Sequence, residues 1–132
     1  MQRKFRLTRS EDFKRVRRSG KSYAHPLVVL IVQSHDPRST TAKQAVGENP
    51  VDHSRLRIGV AAGRTVGTAV VRNRAKRLLR EAMRSLIPNI ASGFDLILIA
   101  RPGMIAATLE DTRQALLALL QRAQIFIPVN ES

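Results

Sequence analysis

The sequence predicts an α+β fold, a two-layer α/β sandwich in which about four strands are packed by helices. Three observations predict it. Residues 27–33 and 94–100 are nearly continuous apolar runs rich in Val, Ile and Leu, the pattern of buried strands. Residues 69–86 instead repeat apolar side chains at helical spacing. The elements follow the order helix, strands, long helix, strand, helix, which suits one sheet covered by helices. No repeat and no domain-length linker interrupts the 132 residues. One domain spanning 1–132 is therefore expected.

The first helix starts at Thr8 or Ser10, either of which can cap it, and ends near Arg18. Glu11 stands three residues after Thr8, the capping-box spacing, and Asp12 suits the first turn. Leu7, Phe13 and Val16 give it a narrow apolar side. Gly20 lies just past its end, where a left-handed residue costs little. A short strand is expected at 21–24, and Pro26 opens the strand at 27–33. Turn chemistry then runs through Asp36, Pro37, Ser39, Gly47 and Pro50. Residues 36–54 read as a flexible loop insertion, longer than most connections in compact domains. Residues 56–62 form the next strand, in which Gly59 implies close backbone packing or a bulge. After a turn at 63–67, Thr68 caps the long helix at 69–86, and Pro88 stops it. A strand at 94–100 and a turn at Arg101, Pro102 and Gly103 follow. Thr108 and Asp111 have capping-box spacing and open a helix to about Ala123. The tail, 125–132, reads as a frayed turn or strand remnant.

Charge narrows the function. The chain carries 23 Lys and Arg against 10 Asp and Glu, a net charge of +13. Residues 1–25 contribute +7 and residues 64–84 contribute +6, so the remainder is neutral. Two concentrated basic blocks on a neutral chain are the footprint of a polyanion, nucleic acid or an anionic membrane surface. The absence of Cys excludes a disulfide scaffold, thiolate catalysis and Cys-based zinc fingers. No apolar run approaches the ~20 residues of a membrane span, and the basic opening lacks the apolar core of a secretory signal. A cytoplasmic location is expected.

The long helix separates its two faces. Val71, Ala75, Leu78, Leu79, Ala82, Met83 and Leu86 fall within about 140° and should lie on the sheet. Arg72, Asn73, Lys76, Arg77, Arg80 and Arg84 occupy the opposite side, with Arg74 near one edge. Arg grips phosphate with a planar fork that Lys lacks. Asn73 could reach a base edge or a 2′-hydroxyl, or cap a local turn. In the first block, basic residues surround Phe5 and Phe13. Aromatic rings among cations suit single-stranded RNA, although Phe13 is equally a candidate for the core.

No catalytic constellation is visible, and no catalytic or metal-ligating residue is assigned. His25, His35 and His53 share no ligand spacing and read as incidental surface residues. Asp36 and Asp52 are weak loop candidates for a metal. Asp95, Glu110 and Asp111 stand at element starts, where they have structural explanations. Neither a nucleophile elbow nor a phosphate loop occurs.

The helix at 67–84 resembles the signature helix of the bacterial ribonuclease P protein family, through Arg72, Asn73, Arg74, Lys76, Arg77 and Arg80. Leu7 and Thr8, Glu11 to Phe13, Gly20, the strand Leu56, Gly59 and Val60, and the segment from Asp95 to Arg101 are similar too. The likeness covers roughly residues 3–123 without the 36–54 loop. It implies a split β-α-β unit with a left-handed crossover, which patterning could not show, since the general preference is right-handed. It also implies an RNA-binding subunit of an endonuclease that removes the 5′ leader of precursor tRNA. The catalytic RNA subunit would hold the Mg²⁺, and the protein would aid leader binding and Mg²⁺-dependent activity. Arg72, Asn73, Arg74, Lys76, Arg77, Arg80 and Arg84 would bind that RNA. Arg9, Phe13, Arg17 and Ile31 would form the leader cleft between the first helix and the sheet. Arg17 stands where many relatives carry a second aromatic residue, and Ile31 where some carry a tyrosine. This cleft would therefore be more basic and less aromatic.

No organic cofactor, membrane contact or obligate protein partner is expected. The competing readings are a ribosomal or other structured-RNA-binding protein, a DNA-binding module and a membrane-surface protein. The second lacks a clear helix-turn-helix partner for its basic helix. The third would need the apolar face of that helix to be free.

Overall fold

The computed structural model describes residues 5–35 and 56–127. The 36–54 insertion, with Asp36, Asp52 and His53, lies outside the described residues, as do Arg3, Lys4 and the last five residues of the tail. Helix α1 (Ser10–Ser19) leads into strands β1 (Lys21–Ala24) and β2 (Val28–Ser34). Strand β3 (Arg57–Ala62), helix α2 (Ala69–Leu86), strand β4 (Phe94–Ala100) and helix α3 (Leu109–Arg122) complete the order. Short 3₁₀ turns at Arg64–Val66, Ile87–Asn89 and Pro102–Ala106 join them.

The sheet runs β1-β2-β4-β3. β1 and β4 both flank β2 antiparallel, while β3 lies beside β4 and parallel to it. α2 therefore crosses between two neighbouring parallel strands, forming a β-α-β unit. Ahead of α1, Arg6 bridges to Ile58 and the Leu7 amide donates to the Ile58 carbonyl at 2.8 Å, extending the β3 edge.

Alternation along the strands divides the core. Leu30, Ile58, Leu96 and Leu98 face α2 and α3, where Leu79, Met83, Leu116 and Leu120 close over them. Each such side chain contributes about 1.5–3 kcal/mol on burial. Ile31 and Ile97 point to the other face and pack with Leu7 and Val16 under α1. The expected stripe of α2 is on the sheet: Ala75, Leu79, Ala82, Met83 and Leu86 are buried, and Val71 and Leu78 pack at its margins.

The caps of α2 and α3 form as the sequence predicts. Thr68 accepts from the Val71 amide, and Thr108 with Asp111 makes a reciprocal capping box. α1 departs from expectation. Arg9 is its N-cap residue and makes no side-chain cap, because a guanidinium offers no acceptor to the free amides of the first turn. Thr8 lines a pocket instead, and Asp12 turns toward two arginines. Gly20 is extended rather than left-handed, with φ −82°. It is required for closeness: a Cβ there would stand 2.5 Å from the Val16 carbonyl oxygen and 2.7 Å from Ile31. Among the described residues, Phe126 of the tail bridges to Ile90 as a strand remnant.

Candidate RNA interface

Helix α2 presents its cations away from the core, and they divide by what they already hold. Asn73 and Arg77 are exposed, while Arg72, Lys76 and Arg80 are half-buried. Arg74 spans to the segment before α3, donating to the Ala107 carbonyl at 3.1 Å and the Met104 carbonyl at 3.5 Å. It is therefore partly a clamp. Arg84 forms an exposed ion pair with Glu81 at 3.5 Å, an interaction worth little in solvent. The Arg72 Nε is buried without a hydrogen-bond acceptor among the described residues. An acceptor brought by a ligand would remove a desolvation penalty of about 1–3 kcal/mol.

The second feature is a cavity of about 220 Å³ at the β3 edge, lined by Arg6, Leu7, Thr8, Phe13, Ile58, Val60 and Arg80. Sheet topology makes it. The N-terminal segment is tied along β3 by the Ile58 bridge, α1 lies on one face of the sheet and α2 on the other. The pocket opens where these meet. Arg6 comes from the first basic block and Arg80 from the second. Two guanidinium groups, a hydroxyl and an aromatic wall are the chemistry of a nucleotide: phosphate, sugar and base.

Of the expected cleft residues, only Phe13 lines this pocket. Its ring rests on Gly59, where a Cβ would stand 2.4 Å from the Phe13 Cζ. Phe13 is thus both packed and presented. Arg9 and Arg17 are exposed near the two ends of α1. Ile31 is 5% exposed and buried beneath α1 with Val16 and Ile97. It therefore supports the helix from below rather than forming an open wall.

An ionic network lies between α1 and the sheet. The Asp95 side chain is fully buried. Arg57 donates to it twice, from Nε and Nη2, both at 2.9 Å. Arg15 Nη2 donates at 2.7 Å, and His35 Nε2 lies 2.7 Å from the other oxygen. Arg15 also donates to Asp12 at 3.1 Å and to Gln33, while Arg57 stands 3.8 Å from Asp12. Burial alone pushes the Asp95 carboxyl up. The hydrogen bonds from His35, Arg57 and Arg15 outweigh it and hold the group well below the usual carboxylate range. With Asp95 ionised, His35 Nε2 carries the proton that points at it.

This network corrects two expectations. His35 is no incidental surface residue, since its side chain is 6% exposed and seated on Asp95. Arg15, counted in the first basic block, spends its charge inside the protein. Residue type alone concealed these roles. Register reveals them: Arg57 and Gln33 are the two cross-strand neighbours of Asp95. A carboxylate inside an apolar strand, opposite an arginine at the start of another, was the available signal.

Comparison with known proteins gives the family. The family model for ribonuclease P matches residues 1–124. A ribonuclease P protein component from Herpetosiphon aurantiacus is 40% identical over 126 residues, 96% of this chain and 89% of that one.

The chain belongs to the ribonuclease P protein family.

The protein component from Brevibacillus brevis is 38% identical over 125 residues, 95% of this chain and 87% of that one. The solved ribonuclease P protein of Thermotoga maritima aligns with a TM-score of 0.67 at 29% identity, covering 89% of this chain and 96% of that one. That of Staphylococcus aureus shares the fold, with a TM-score of 0.72 at 24% identity over 92% of this chain and 97% of that one. Members are protein components of a ribonucleoprotein endonuclease of tRNA 5′ processing, so RNA is a partner. Among the described residues, no helix is long and apolar enough to cross a membrane.

Proposed function

We propose that the chain works in the cytoplasm, binds the RNA subunit of ribonuclease P through α2, and holds the 5′ leader of precursor tRNA at the pocket beside Phe13. One observation carries this reading: Arg6 and Arg80, one from each basic block, line the same pocket as an aromatic ring. A leader nucleotide there stacks on Phe13 while the guanidiniums take its phosphates. Arg72, Asn73, Lys76, Arg77 and Arg84 face the RNA subunit. Arg80, on the same helix, faces the leader, so α2 touches both RNAs. The cations screen phosphate repulsion between the two, which raises substrate affinity and favours Mg²⁺ occupancy on the RNA.

Hydrolysis belongs to the RNA subunit in this reading, with the Mg²⁺ held mainly there. The described carboxylates of this chain do not suit that ion. Asp12 and Asp95 are engaged by arginines, and no three acidic or histidine groups among the described residues gather for a metal. No step is therefore assigned to a metal on the protein.

Adding the protein to the RNA subunit and precursor tRNA at low Mg²⁺ tests this reading. Cleavage should require the RNA and rise with protein. Cleavage by the protein alone, or no response to it, would overturn the reading.

A further inference from the structure

We propose that Asp95 is a positioning residue for leader recognition: through Arg15 it fixes the face of α1 that presents Phe13 to the pocket. The proposal rests on the reading of that pocket as the leader site.

α1 needs an anchor beyond its apolar side. It is a ten-residue helix without a side-chain N-cap, and Val16 is its one fully buried side chain. Asp95 supplies the anchor by joining Arg15 of α1, Arg57 of β3 and His35 beyond the end of β2. Asp12, next to Phe13 in the chain, is tied to the same two arginines. The residues bracketing Phe13 are thus held to the sheet, and its ring is pressed onto Gly59, two positions from Arg57 on the same strand face. Arg15 and Arg57 are matched in charge by Asp12 and Asp95. The cluster consequently leaves no surplus charge for phosphate, and its contribution is geometric.

The test uses holoenzyme reconstituted with the RNA subunit, and precursor tRNA with and without its leader. Arg15→Gln is the informative variant, because Asp95 keeps Arg57 and His35 and stays paired. Expected is a loss of leader-dependent affinity of roughly tenfold, with RNA-subunit affinity and the salt slope of leader binding unchanged. Arg15→Lys should restore most of the loss. Once Phe13→Ala is present, Arg15→Gln should add nothing, since no ring remains to be placed. Additive losses would overturn the proposal. So would a slope reduced by about 0.7, the mark of a direct phosphate contact on a single strand. Full leader affinity in Arg15→Gln would overturn it as well. If the wild-type holoenzyme gains nothing from a leader, the leader reading itself fails, a result distinct from these.

Discussion

Phe13 lies over Gly59 with no room for a methyl group between them: a Cβ at position 59 would stand 2.4 Å from the ring. A helix and a strand meet there through one aromatic side chain and one missing one. The same ring is a wall of the pocket, so one residue both packs the helix on the sheet and lines the cavity.

Gly59→Ala should push α1 off the sheet. Overpacking of this kind costs about 1–3 kcal/mol, measurable as a lower urea midpoint, and leader-dependent affinity should fall with it. Gly63→Ala is the control. Nothing lies within 4 Å of a Cβ there, so stability should change by less than about 0.5 kcal/mol.

Acid should dissolve the Asp95 network. Its carboxyl is held below its ordinary value, so the folded state binds that proton less readily than the unfolded chain does. The stabilisation is fully present above the unfolded value of about 3.9. It is lost as pH falls from there toward the folded value. Asp95→Asn leaves two guanidinium groups short of a partner and should cost on the order of 3 kcal/mol at neutral pH. Urea midpoints of wild type and variant should converge as pH drops below about 4. Parallel curves across that range would contradict the assignment.

The arginines of α2 should separate by role. Arg77→Ala removes an exposed charge and should weaken RNA-subunit binding with stability unchanged. Arg74→Ala also releases the Met104 and Ala107 carbonyls, so it should lower thermal stability by about 1 kcal/mol as well. Calorimetry on the protein and affinity titration with the RNA check both.

Arg17 is exposed at the end of α1, on the helix that carries Phe13. If it meets the leader backbone, Arg17→Ala should reduce the salt slope of leader-dependent binding by about 0.7. An unchanged slope would leave the contact to Arg6 and Arg80, and removing either one should produce that decrement of about 0.7.

Most of the fold was legible because its signals are local. Thr68, Thr108 and Asp111 cap what they predict, and the stripe of α2 reads directly as a buried face. Gly20 shows the limit. Its position after a helix suggested a left-handed turn, while the cause was a neighbouring strand, which no local pattern contains. The separation of α2 into a buried stripe and a basic face was legible from spacing and charge. The pocket and the Asp95 network were not, because they join residues up to 80 positions apart, and only sheet register brings them together. Ile31 shows that resemblance gives a position and not its exposure: aligned to a cleft position, it is buried beneath α1.

Binding of precursor tRNA by holoenzymes carrying wild-type protein or Phe13→Ala, each with leader-bearing and leaderless substrate, tests the central claim most directly. Stacking of one base on an aromatic ring contributes about 1–3 kcal/mol. Phe13→Ala should therefore remove roughly that much of the leader's contribution and leave affinity for the RNA subunit and for leaderless substrate intact. An equal leader contribution in both holoenzymes would contradict the account.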